Sequence, residues 1–294
     1  MVQIFILTHN RPISLVDSLN SVLKQELVSC NYEIIVSDNS TNDETEKLIN
    51  EFRASNNNLY YRKRSHMSSI DHFNMVLSEV TAEFFMLFHD DDTMFSNMLE
   101  TLYCFLKNNE KFLAVGSNAE IVKKGKVSRY FFNKSQDINI ENVDEMIKSY
   151  LAYYHAPFPS YMYRKYVAEN IKLDITKGGK YCDVSFLLDI VVCGNIKLLK
   201  EPLMKYYLHE GQDSANHVCE QQDKLLQYMI KVSSFRKDSS MIMKHRIINF
   251  YLKLSSIRKP ISNHRWKRIQ MIFLKYSPFY LLPRIIAKRI LKIV

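Results

Sequence analysis

FFMLFHDDDTMF, residues 84–95, sets five consecutive apolar residues directly against a histidine and three aspartates. An apolar run of this length bounded by polar residues reads as a buried strand. Adjacent carboxylates repel one another, and the repulsion raises their proton affinity unless a cation or hydrogen-bond donors answer it. The stretch therefore places a charged cluster at the end of a buried strand, where a cation and an anionic ligand can meet.

The flanking sequence repeats the pattern. QIFILT (3–8) ends at polar HNRP, and Pro12 suits the first turn of a helix whose Leu15, Leu19, Val22 and Leu23 share one face. YEIIVSDNS (32–40) is a second strand with a polar end, and strand, helix, strand at this spacing is a βαβ unit. TNDETEKLINEF (41–52) reads as a helix with an acidic start. Ile70, Phe73, Val76, Leu77 and Val80 mark another helix before the strand at 84–89. The fold class is α/β. Three strands then end at Thr8, Asp38 and His89, and ligands of open α/β sheets sit beyond the carboxyl ends of the strands. THNR, SDNS and HDDD thus fall along one edge.

The 294 residues, 47% hydrophobic and 24% charged, are enough for one large or two small domains. Five cysteines without a CxxC pair argue against a disulfide framework or a thiolate zinc site and fit a reducing cytosol. MVQIFILTHNRP has no basic leader and reads as a first strand. The net charge of +9 is uneven: residues 239–294 carry 13 Lys and Arg and no acid, leaving 27 basic against 31 acidic residues before them. The chain divides accordingly into an α/β domain at 1–238 and a basic amphipathic helical tail at 239–294. In SNHRWKRIQ (262–270) and RIIAKRILKIV (284–294) the cations alternate with Ile and Leu, which suits an anionic membrane surface better than nucleic acid. No stretch of the tail reaches the roughly 20 apolar residues of a spanning helix. The expected location is cytoplasmic, peripheral on the inner face of the cell membrane.

ILTHNRP, IIVSDNSTNDET, Asn74, FFMLFHDDD, GGKYCDVSFLL and YYLHEGQDS, in this order over roughly residues 1–215, resemble the inverting family 2 glycosyltransferases. The resemblance implies a GT-A, Rossmann-like mixed sheet flanked by helices. It places Asp38 against the nucleotide base, with Thr8, Arg11 and Asn74 in the nucleotide pocket. HDDD looks like the family's DxD motif, with Asp91 and Asp92 nearest a Mn or Mg cation and Asp90 nearest the ribose; the family's usual DxDD would put its first aspartate at His89. Asp183 matches the catalytic base, with Cys182 standing where another acid is usual. His209 matches a histidine that approaches the metal or diphosphate, and Tyr207 replaces the usual arginine beside it.

Plainer readings stand beside these. Asp38 also suits a turn or helix cap with Asn39 and Ser40, HDDD a solvated loop or helix cap, Asp183 a helix cap, and His209 a structural role. The aromatic stretch YLAYYHAPFPSYMYRK (150–165) suits sugar stacking or core equally. The implied activity is metal-dependent transfer of a sugar from a nucleoside-diphosphate sugar to a hydroxyl of a glycan acceptor, lipid-linked in cell-surface polysaccharide assembly. A nucleotidyltransferase or sugar-nucleotide hydrolase would use the same carboxylates.

Overall fold

The computed structural model describes residues 1–26, 29–209 and 218–233. The basic tail lies outside them. β1 (Val2–Thr8), α1 (Pro12–Leu23), β2 (Tyr32–Asp38), α2 (Glu44–Arg53), β3 (Leu59–Lys63), α3 (Ser69–Ser78) and β4 (Phe84–His89) alternate along the first third. There follow β5 (Thr93–Met94), α4 (Met98–Asn108), β6 (Phe112–Lys123), β7 (Lys126–Tyr130), β8 (Ile138–Ile140), α5 (Val143–Leu151), β9 (Tyr161–Arg164), α6 (Lys165–Asn170), α7 (Ile175–Gly178), α8 (Cys182–Cys193), β10 (Asn195–Leu208) and α9 (Cys219–Val232).

The strands form one mixed sheet in the order β3-β2-β1-β4-β9-β6-β10-β5, with β7 on β6 and β8 on β10. The apolar runs explain it. Phe84, Met86 and Phe88 join one core with Ile4, Ile6, Leu15 and Leu102, while Phe85 and Leu87 join the other with Phe5, Phe186 and Leu226. A strand covered by helices on both faces has no polar face to show, so alternation gives way to a continuous apolar run.

β1 pairs in parallel with β2 and β4, and β6 with β10, while β9 runs antiparallel between β4 and β6. The carboxyl ends of β1, β2, β4, β6 and β10 therefore share one edge. β6 and β7 make a hairpin over Lys124 and Gly125, both at positive φ (51° and 74°), the backbone of a tight primed turn. α8 differs from the amphipathic helix its sequence suggests. It is buried along most of its length, and Asp183, Asp189, Val192 and Cys193 are its only more open positions. Tyr161 and Tyr163 of the aromatic stretch are fully buried core residues. No helix among the described residues is long and apolar enough to cross a membrane.

Candidate active site

Register brings the polar strand ends together: Thr8 lies opposite Asp38, and Leu7 opposite His89. The THNR and SDNS loops are laced to each other. Asn10 Oδ1 accepts from the Thr41 amide at 3.0 Å, the Asn10 amide donates to Ser40 Oγ at 2.7 Å, and Asn39 exchanges two hydrogen bonds with the backbone of Met67.

Asp38 is wholly buried, and its carboxylate is saturated with donors. Oδ1 accepts from the Ser40 amide at 2.8 Å; Oδ2 accepts from Tyr61 Oη at 2.7 Å and Lys63 Nζ at 3.3 Å. Burial, and then the hydrogen bond to Asp38, push the Tyr61 phenol well above its ordinary range. The Ser40 bond is the local turn foreseen as the plainer reading. Tyr61 and Lys63, both from β3, are additions that the strand LYYRK signalled only by its place after α2.

The aspartate cluster gathers groups from four elements. Thr8 Oγ1 donates to Asp90 Oδ2 at 2.7 Å. Arg11 Nη1 reaches Asp91 Oδ2 at 3.0 Å and Asp90 Oδ1 at 3.4 Å. His209 Nε2 lies 2.9 Å from the same Asp91 oxygen, and the Tyr207 amide donates to Asp92 Oδ1 at 3.0 Å. The backbone of Tyr207 thus makes a contact here although its side chain is not arginine. Burial raises the proton affinity of Asp90 and, more strongly, that of Asp92, with the charge of Asp91 adding to both.

Asp92 Oδ2 is buried without a hydrogen-bond partner among the described residues. An orphaned carboxylate oxygen is costly unless a cation takes it. His89, Asp91 and Asp92 each offer a ligand atom, all within 4.8 Å of one another, so this donor set fits a divalent cation. The cluster adds the His89 ring to the expected pair Asp91 and Asp92, and leaves Asp90 beside Thr8. The pattern DxDD held the signal for position 89.

Asp183 is the second residue of α8, and its Oδ1 accepts from the Val184 amide at 2.9 Å; its carboxylate lies in the positive first turn of the helix, while the N-cap residue, Tyr181, makes no side-chain cap bond. Desolvation raises its carboxyl to about 6. The phenols of Tyr150, Tyr161 and Tyr163 stand close enough to feel its charge. Cys182 beside it is buried, and burial pushes its thiol up to about 12, so it is a neutral neighbour. A chain of rings joins this helix to the aspartate cluster: Phe186 packs on Phe158 at 6.1 Å between centroids, and Phe158 on His89 at 6.3 Å.

The segment leading into α8 is held from outside by α9. Gly179 has φ 60°, and a Cβ there would meet Gln221 at 2.8 Å. Gln221 Oε1 accepts from the Lys180 amide at 2.6 Å, and Tyr181 Oη accepts from the Val218 amide at 3.3 Å. Asn74 has a related duty. Its carboxamide exchanges hydrogen bonds of 2.9 Å in both directions with the backbone of Leu173, tying α3 to the same segment. Both of its polar ends are thus engaged away from the strand-end cluster.

A family profile described as "Glycosyl transferase family 2" matches residues 3–171. The chain is 24% identical over 239 residues, 80% of its length and 71% of the other's, to the poly(ribitol-phosphate) beta-N-acetylglucosaminyltransferase TarP of Staphylococcus aureus. It is 26% identical over 155 residues to the GalNAc(5)-diNAcBac-PP-undecaprenol beta-1,3-glucosyltransferase of Campylobacter jejuni, covering 51% of this chain and about half (49%) of that protein. In fold it resembles S. aureus TarS 1–349 in complex with UDP-GlcNAc, with a TM-score of 0.67, 17% identity, and coverage of 94% of this chain and 81% of that one. It also resembles the mannosyltransferase PcManGT of Pyrobaculum calidifontis in complex with GDP-Man and Mn2+, with a TM-score of 0.57, 10% identity, and coverage of 97% and 84%. With that profile spanning more than half its length on this GT-A sheet, the chain belongs to glycosyl transferase family 2 and is a glycosyltransferase.

Proposed function

We propose that the protein transfers a sugar, with inversion, from a nucleoside-diphosphate sugar to a hydroxyl of a lipid-linked glycan in cell-surface polysaccharide assembly. The observation that carries this reading is the pairing of a carboxylate cluster holding an orphaned oxygen with a separate, desolvated aspartate joined to it through tilted and edge-on ring contacts. The glycan-modifying activities named for the S. aureus and C. jejuni relatives support the acceptor class.

Asp183 takes the proton from the acceptor hydroxyl as that oxygen attacks the anomeric carbon. A carboxyl with a proton affinity near 6 is ionised at neutral pH yet more basic than a solvated aspartate, as a general base requires. Asp38, Thr8 and Arg11 line the nucleotide side, and Asp90, anchored by Thr8, stands for the ribose. Asp91, Asp92 and His89 would hold Mn or Mg, whose preference for oxygen-rich donor sets they meet, with His209 beside them. When bound, such a cation offsets the negative charge that gathers on the departing diphosphate. The basic segment 239–294 would keep the enzyme at the cytoplasmic membrane face, near a lipid-linked acceptor.

The test is a screen of nucleoside-diphosphate sugars with a lipid-linked acceptor and Mn. A lengthened acceptor is expected, with activity lost in EDTA and largely lost in Asp91→Ala and Asp92→Ala at retained fold. Release of free sugar or pyrophosphate without a lengthened acceptor would identify a hydrolase or nucleotidyltransferase instead, and full activity in EDTA would remove the metal.

A further inference from the structure

The β6–β7 hairpin concentrates charge that the fold does not use. Lys123, Lys124, Lys126 and Arg129 are all exposed, and none forms an ion pair among the described residues. Lys123 and Lys126 lie directly opposite each other across the two strands, where like charges oppose folding. Lys124 occupies a turn position at φ 51°, where Asn or Gly is favoured and a long side chain is strained. All of β7 is exposed, including Val127 at 53% and Tyr130 at 54%.

Edge strands often carry a lysine to block pairing with other chains. That role needs neither two facing lysines nor bare Val127 and Tyr130, which work against it. A local arrangement that disagrees with its own fold on several counts points to a partner outside the fold.

The hairpin's place says what the partner meets. Lys123 is in register with Leu208 at the end of β10, and the next residue, His209, touches Asp91. Leu208 is itself 37% exposed. The turn therefore stands at the sheet edge that carries the aspartate cluster, and it presents four cations interleaved with Val127, Tyr130 and Leu208. Cations mixed with exposed apolar and tyrosine side chains match an anionic bilayer interface, which offers headgroup charge and an apolar boundary together.

We propose that the β6–β7 hairpin is a membrane-docking element that sets the catalytic edge against an anionic phospholipid surface. It is separate from the basic segment 239–294 and does not depend on which sugar is transferred. Each lysine near such a surface adds about 1 kcal/mol, or about fivefold in partitioning.

The experiment uses the full chain and vesicles of phosphatidylcholine with phosphatidylglycerol at low salt. Partitioning is measured for the wild type, for Lys123→Ser with Lys124→Ser and Lys126→Ser, and for Val127→Ser with Tyr130→Ser. Retained donor-nucleotide binding, together with an unchanged or raised melting temperature, reports that the triple variant is folded. Its partitioning is expected to fall by about fivefold per lysine, and that of the double variant by severalfold. Triple-variant partitioning within twofold of wild type would overturn the proposal. So would a double variant that binds vesicles like the wild type while soluble inorganic polyphosphate displaces the wild type through the same lysines, since the hairpin would then be an arm for phosphate polymers.

Discussion

At the β2 end of the sheet edge Asp38 is gripped by Ser40, Tyr61 and Lys63, whereas at the α8 end Asp183 leans on the Val184 amide amid phenols that feel its charge. Both lie at or next to a strand or helix end, and both suit a cap from sequence alone. Their surroundings suit opposite duties. A carboxylate surrounded by donors is fixed in direction and suits recognition; one stripped of water is more basic and suits proton transfer.

Asp183→Asn tests the reactive end and carries the largest effect. The change keeps the shape and removes the base, so kcat should drop by about a hundred- to ten-thousandfold with donor binding retained. The wild type should lose kcat as pH falls through about 6, the point at which Asp183 takes up its proton. Stability should move the other way. A folded-state value raised above the unfolded 3.8 means that the native protein binds the extra proton between the two, so the cost of ionised Asp183 is absent below about 4 and complete above about 6. Asp183→Asn should therefore be more stable than wild type at pH 7, by up to roughly 3 kcal/mol, and match wild type at pH 3.5. Unchanged kcat at saturating substrates would move the base elsewhere.

Gly179→Ala probes how the reactive end is held, with a smaller effect. Its φ of 60° and the nearness of Gln221 add two separate strains, together worth about 1–3 kcal/mol. Adding Gln221→Ala removes Cγ and Oε1 but keeps the Cβ at 2.8 Å, so it should restore only part of the steric share. A double variant as stable as wild type would mean that the backbone angle costs nothing.

Tyr61→Phe at the recognition end is expected to do least. One of three donors to Asp38 is removed, worth about 1 kcal/mol, and the loss should show in the KM for donor with kcat unchanged. A matching loss in kcat would mean that the two ends are not separate.

How much of this was legible in the sequence follows from what each feature depends on. β1, β2 and β4 were readable because burial on both faces leaves an unbroken apolar run ending in polar residues. Helix α3 was readable from Ile70, Phe73, Val76 and Leu77 at helical spacing. The direction of a polar side chain was not. Arg11 reaches Asp90 and Asp91, and Asn74 meets a backbone 99 residues away, contacts that no pattern in the sequence announces. Such pairings depend on the three-dimensional path of loops, which no local period encodes. Gln221 and Lys63 escaped for the same reason. The tyrosines of 150–165 were ambiguous because an aromatic ring serves core and sugar alike, and the sheet decides it by burying Tyr161 and Tyr163 on β9.

β10 has a further consequence, in time rather than space. Its Tyr207 answers Asp92 across 115 residues of chain, and His209 answers Asp91 across 118. A ribosome adding about 5–20 residues per second separates the two groups by roughly 6–24 s. During that interval the aspartates have emerged while the strand that completes their surroundings is still unmade. A chain stalled before β10 carries the acidic motif and most of the parallel sheet, yet lacks the partners that shape the cluster. The acidic cluster therefore gains these two contacts only once synthesis has passed residue 209.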